Sequence, residues 1–257
     1  MATAVTAILG TLSYGVMMTA ISTQEDALIV QERYHAGRIA LERMRRELTM
    51  AFVSLHQAED ARTVTLFEGE DDRLVFNTGA HEPLKRNVRQ SDQLEVEYFT
   101  KSVETEAGDK VDALMRRVKF HIDDRPGKGG REDILVEGVR KLELEYFDEY
   151  AEDWRDEWTV RIDDAIEMRQ RLKEVQAVRD QLDDARNDGG ASVAGAAVTA
   201  LAAEAIDREV DSVELELMEG LFLPARVRIH LVLVDNDDNE FHMETQVEIP
   251  MVEPLWY

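Results

Sequence analysis

The chain has 257 residues, no cysteine, and 54 Asp and Glu against 30 Lys and Arg, for a net charge of -24. Its length suits one large domain or two small ones, and a hydrophobic fraction of 44% is that of a folded protein. Such acidity argues against nucleic-acid binding and offers no polybasic patch for anionic lipid, while the lack of cysteine excludes disulfides, thiolate zinc sites and Cys nucleophiles.

Residues 1–24, MATAVTAILGTLSYGVMMTAISTQ, carry no charge. As a helix rising 1.5 Å per residue they would reach roughly 36 Å, comparable with a bilayer core of about 30 Å. Thr, Ser and Gly make the stretch mild for a membrane span, and it lacks cationic flanks. No Lys or Arg precedes Arg33, which counts against a secretory signal. From Glu25 onward the helical pattern continues without a proline. Val30, Tyr34, Gly37, Leu41, Met44, Leu48 and Phe52 recur at steps of four and three, one apolar stripe on an amphipathic helix. Glu32, Arg33, Glu42, Arg43, Arg46 and Glu47 are read onto the opposite, polar face. The expectation is one helix over 1–52, lipid-compatible in its first half and packed in its second. In it Val30, Tyr34 and Gly37 would face partner subunits, and Leu41, Met44, Leu48 and Phe52 would cover a sheet. Coiled-coil pairing would need the pattern to continue, and it stops at Phe52.

Beyond Phe52 the period changes to two. TVTLF and RLVFN read as short strands, and QLEVEYF alternates Leu94, Val96 and Tyr98 against Glu95, Glu97 and Phe99. RVKFHID alternates Val118, Phe120 and Ile122 against Arg117, Lys119 and His121. KLELEYFD, ARVRIHLVLV and EFHMETQVEI continue the pattern with Leu142, Leu144 and Tyr146, then Val227, Ile229, Leu231 and Leu233, then Phe241, Met243, Thr245, Val247 and Ile249. This predicts half-buried antiparallel strands whose Glu and Arg residues face water. DNDDN is the turn of a hairpin and DDRPGKGGRED a surface loop. Between 161 and 213 the composition returns to helix formers, broken at NDGG, and predicts a helical insertion whose flanking strands pair with one another. The expected division is therefore 1–52, a β domain of 53–160 and 214–257, and an insertion of 161–213. The fold class is α+β.

Chemistry is hard to place. His35, His56, His81, His121, His230 and His242 form no HxH, HxxxH or HExxH pair, and no nucleophile elbow, P-loop or dinucleotide fingerprint occurs. GKGG at 127–130 lacks the strand-to-helix setting of a phosphate loop. Asp235, Asp237 and Asn239 match the first EF-hand positions, but Glu240 replaces the required Gly and Gln246 the bidentate Glu. A calcium loop of another kind at Asp235–Glu240 or Asp71–Asp72 stays open as an alternative. Tyr146, Phe147, Tyr150, Trp154 and Trp158 read as packing aromatics. No catalytic, cofactor or metal residue is assigned.

Several strings occur in a meaningful order: ALERMRRELTMAF at the helix end, DRLVFNT, and ILVEGVRKLELEYFD with Leu135, Gly138, Val139, Leu142, Tyr146 and Asp148. WRDEW follows, then LPARVRIHLVLVD with Leu223, Pro224, Val227 and Ile229. The set resembles the type IV pilin-like proteins and, within them, the GspJ family of minor pseudopilins of the type II secretion system, over about 1–160 and 221–250, with WRDEW at the family's tryptophan turn. The resemblance implies a pilin-like fold, a long N-terminal helix packed on antiparallel sheets, and a structural subunit rather than an enzyme. It also implies a single-pass inner-membrane anchor with the β domain in the periplasm, and no cofactor. Its partners would be the I-type and K-type minor pseudopilins at the pseudopilus tip, with no nucleic acid. Two features depart from the family: the insertion, and the absence of a Gly-Phe-Thr-Leu-x-Glu prepilin signature, which ATAVTAILGTLSYG is similar to the sequel of. Two other readings share the anchor: a minor pilin of a type IV pilus or competence system, whose DNA uptake would want a basic patch, and a membrane-anchored binding module.

Overall fold

A computed structural model describes residues 2–54, 64–81, 91–104, 108, 110–162, 171, 173–181, 205–206, 208, 210, 212, 220–235 and 237–255, without the side chains of 2–12, 22, 25 and 26. Helix α1 runs Ala2–Thr49 as a single element of 48 residues, about 72 Å long at the standard rise. Its last turn tightens, with the Met50 and Ala51 N–H groups donating to the Glu47 and Leu48 carbonyls at 3.2 and 2.9 Å. The chain then leaves the helix along a strand. The Phe52 N–H donates to the Asn77 carbonyl at 3.0 Å, and the Thr78 hydroxyl donates to the Glu47 carbonyl at 2.7 Å. The helix therefore ends at Thr49, and Phe52 is buried beyond it in this extended exit.

Two antiparallel sheets follow. The first contains β1 (Leu66–Gly69), β2 (Arg73–Thr78), β3 (Leu94–Glu104), β4 (Lys110–Lys119), β5 (Arg131–Glu137) and β8 (Trp158–Arg161), ordered β5-β4-β3-β2-β1-β8. The second contains β6 (Val139–Asp148), β7 (Asp153–Arg155), β9 (Arg226–Val234) and β10 (Glu240–Glu248), ordered β10-β9-β6-β7. The chain passes from one sheet to the other through a single residue, Gly138, at φ 74°. A Cβ there would press on the Val234 carbonyl oxygen, so the left-handed turn needs glycine.

The apolar alternation of the strands becomes one core shared by the helix and both sheets, with Phe67, Phe76 and Tyr98 from the first and Leu144, Tyr146, Ile229 and Leu231 from the second. Tyr146 joins the layers. Its ring meets Phe67 edge-on at 6.0 Å, and its hydroxyl donates to the Glu70 carbonyl at 2.9 Å. Gly69 gives this ring its space, since a Cβ there would overlap it.

Three expectations need correction. First, β8 and β9 flank the insertion but do not pair. β8 joins β1 at the edge of the first sheet, and β9 seats between β6 and β10 in the second. Second, WRDEW forms the ends of β7 and β8 rather than a turn alone. Third, the outward residues of β3 and β4 are not wet: Glu95, Glu97 and Lys119 are buried. The loop after β4 folds back over them. The Gly127 N–H donates to Glu95 Oε1 at 2.9 Å, the Arg117 guanidinium donates to the Gly127 carbonyl, and Lys119 Nζ donates to Asp123 at 2.6 Å and to the Arg125 carbonyl at 2.9 Å. In the expected insertion, 161 is the last residue of β8, and 162, 171, 173–181, 205–206, 208, 210 and 212 are helical. The rest of that segment lies outside the described residues.

Candidate interaction surface along the long helix

The two halves of α1 have opposite environments. Its second half is rooted in the core by small residues and aliphatics: Ala40, Leu41, Met44 and Leu48 are all buried. Gly37 lies beneath Met243 of β10, with Leu233 of β9 close by. The expected partner-facing group thus divides. Gly37 is covered by the molecule's own sheet, because the absence of a side chain lets β10 approach. Tyr34 remains 42% exposed while its ring packs edge-on against Phe241 at 5.5 Å and 87°. Val30 is 41% exposed. Ala36 and Ala40 belong to the same stripe and were not singled out by periodicity, since alanine carries little hydropathy signal.

Glu47, read from the sequence as a solvent-facing residue, sits at the root of the helix and is only 2% exposed. Arg116 of β4 grips it with two hydrogen bonds, Nη2 to Oε1 at 2.7 Å and Nε to Oε2 at 3.0 Å. The Tyr98 hydroxyl of β3 donates to Glu47 Oε2 at 2.5 Å. Burial, and then the adjacent Glu47 carboxylate, push the Tyr98 phenol well above its ordinary range, so it stays a donor. Both carboxylate oxygens are therefore satisfied, which a buried charge demands. This cluster fixes the rotation and height of the helix on the first sheet.

The first half of the helix presents apolar side chains with no cover. Tyr14, Val16, Met17, Met18, Leu28 and Ile29 are all exposed. A run of this kind on one element marks a surface for another molecule. It is not strongly apolar, being interrupted by Ser13, Gly15, Thr19, Ser22 and Thr23. Among the described residues, no helix is long and apolar enough to cross a membrane.

Residues with chemical potential do not converge. His230 and His242 approach edge-on at 5.8 Å on the outer face of the second sheet, His35 and His121 are exposed, and His56 lies outside the described residues. His81 instead packs on Phe120 at 5.3 Å. Asp235 is occupied by the hairpin turn, its carboxylate accepting the Asp237 and Asn239 N–H groups and the Asn239 side chain. Among the described residues no group of three His, Asp or Glu side chains is disposed to hold a metal ion. Trp154 and Phe147 are instead covered by Arg228 and Arg226, at 3.9 and 4.0 Å from the ring centroids.

The sequence model of a family described as type II secretion system (T2SS), protein J, matches residues 15–182. The match spans α1 from residue 15, its buried root, the first sheet and, of the second sheet, β6 and β7. No curated protein matches the chain.

Proposed function

Since the chain belongs to the type II secretion system protein J family, we propose that it is a minor pseudopilin, a structural subunit without catalytic activity that joins the I-type and K-type minor pseudopilins at the tip of the pseudopilus. Their complex would prime the fibre that moves folded substrates outward. The observation that carries this reading is the division of α1, with a second half sealed onto both sheets and a first half whose apolar side chains are uncovered. A subunit built in this way offers a helix to its neighbours while its β structure stays folded.

The proposed organisation is an N-terminal unit of 1–52, whose helix ends at Thr49, a β domain of 53–160 and 214–257, and a helical insertion of 161–213. The proposed location is the inner membrane with the β domain in the periplasm, the uncharged start of α1 lying in lipid before assembly and against other helices after it. Val30 and Tyr34 are the proposed partner-facing residues, and Leu41, Met44, Leu48 and Phe52 the residues that hold the β domain.

Co-expression with the I-type and K-type pseudopilins tests this. Val30→Asp together with Tyr34→Asp is expected to abolish co-purification, whereas Tyr34→Leu, which loses the Phe241 ring contact but stays apolar, should lower the unfolding midpoint and still co-purify. Intact co-purification of the double variant would remove these residues from the interface. Failure of the parent chain to associate with either partner would remove the tip assignment itself.

A further inference from the structure

Strand β5 ends the six-stranded sheet, so one of its edges pairs with β4 and, among the described residues, the other has no strand beside it. Unpaired strand edges are templates for another chain, and proteins usually guard them with charge. β5 is guarded unevenly. Its start is charged and occupied, with Arg131 bonded to Asp133 at 2.9 Å and Glu132 bonded by Lys101 at 2.7 Å. Its end is apolar and guarded only by an irregularity at Leu135, where the register to β4 shifts: Ile134 is 49% exposed, and Ile29 of α1, on the opposite wall of the same groove, is 45% exposed. The rim is acidic. Glu32, Glu137 and Asp237 line it with no ion-pair partner among the described residues, and the single cation, Arg33, is engaged with the Glu137 carbonyl at 3.2 Å.

We propose that this edge accepts an extended segment of a partner protein whose residues alternate between apolar and basic, added to β5 as a further strand. Main-chain hydrogen bonds along β5 would supply affinity. Apolar side chains would fall between Ile29 and Ile134, and the intervening Lys or Arg would reach Glu32 and Asp237. An apolar helix would satisfy neither the unpaired main-chain groups nor the acidic rim. A second copy of this chain would bring its own net charge of -24 to an already negative rim.

The probe is an end-capped heptapeptide alternating valine and lysine, added to the full chain. Two further peptides serve as comparisons, one alternating valine and glutamate and one with a central proline in the lysine peptide. Binding is read by fluorescence anisotropy, and strand addition by amide hydrogen exchange across 131–137. The lysine peptide is expected to bind and to slow exchange in β5, and the proline peptide to bind at least about tenfold more weakly. Glu32→Lys with Asp237→Lys should weaken the lysine peptide by about tenfold at low salt, whereas Glu149→Lys with Asp153→Lys, the same charge change on exposed residues elsewhere, should stay within about twofold. Ile134→Lys should weaken it as well. Unslowed exchange in 131–137, equal binding of the proline peptide, equal weakening by the distant pair, or a concentration-dependent dimer that protects β5 without peptide would each overturn the proposal.

Discussion

At the scale of single residues, two buried ionic clusters separate what the sequence discloses from what it conceals. Glu47 was read as polar-face because it is charged, yet Ala40, Met44, Glu47 and Ala51 lie at steps of four, three and four, the spacing of the buried stripe. Arg116 has the inward parity of Leu114 and Val118 and pairs in register with Tyr98. Opposite charges at two inward positions were a signal that could have been found. Arg116→Met should cost about 3–5 kcal/mol in urea unfolding, because it strands the Glu47 carboxylate. Adding Glu47→Leu should recover most of that loss; a double variant no more stable than the single one would mean that the pair does more than neutralise itself. The second cluster carries a pH dependence. Burial raises the Glu95 carboxyl, and the Gly127 N–H, Lys119 and Arg117 only partly offset it. A carboxyl whose folded value lies above its unfolded value binds its proton more tightly in the fold. Its contribution is therefore full below the ordinary glutamate range and is lost as pH rises through the raised value. Glu95→Gln should flatten the fall in stability with pH over that window, measured as urea midpoints, and an unchanged slope would assign the dependence to other groups.

At the scale of elements, alternation made the central strands legible. Val227, Ile229, Leu231 and Leu233 are all fully buried in β9, as their period of two implies. β7 and β8 were not legible, being three and four residues long, too short for a period to register. The wetness of the outer face of β3 and β4 was misread because alternation reports which side chains share a face, and cannot report a loop folding over that face. Cross-strand registry held the missing clue, since Glu97 lies opposite Arg117 and Glu95 opposite Lys119. The join between sheets makes a prediction here. Gly69→Ala would drive a methyl into the Tyr146 ring and should cost about 1–3 kcal/mol. The same change in a Tyr146→Leu background should cost clearly less, with the coupling read from a double-mutant cycle in urea. Equal costs in both backgrounds would show that the ring is not what excludes the side chain.

At the scale of the whole molecule, 54 acidic residues against 30 basic ones set up a self-repulsion that screening relieves. Raising sodium chloride from about 10 to about 150 mM shortens the Debye length from about 30 to about 8 Å, and the melting temperature should rise by a few degrees. The Glu47→Leu, Arg116→Met double variant should show the same rise, because a buried pair is little screened; a melting temperature indifferent to salt would mean that the charges are already balanced locally. The family resemblance belongs to this scale as well. The order of short strings along the chain carries the resemblance to the type II secretion system J family, whereas the groove between α1 and β5 exists only once strands distant in sequence lie side by side.

The order of the strands also governs when α1 acquires its cover. β10 carries Phe241 and Met243, the side chains that meet Tyr34 and Gly37, and follows them in the chain by about two hundred residues. During synthesis α1 is therefore made well before this part of its cover, whereas the Glu47 root already has Tyr98 and Arg116 to bind once β3 and β4 exist. Until β10 follows, the stretch around Tyr34 and Gly37 is open to any other helix, and β10 then competes for that face.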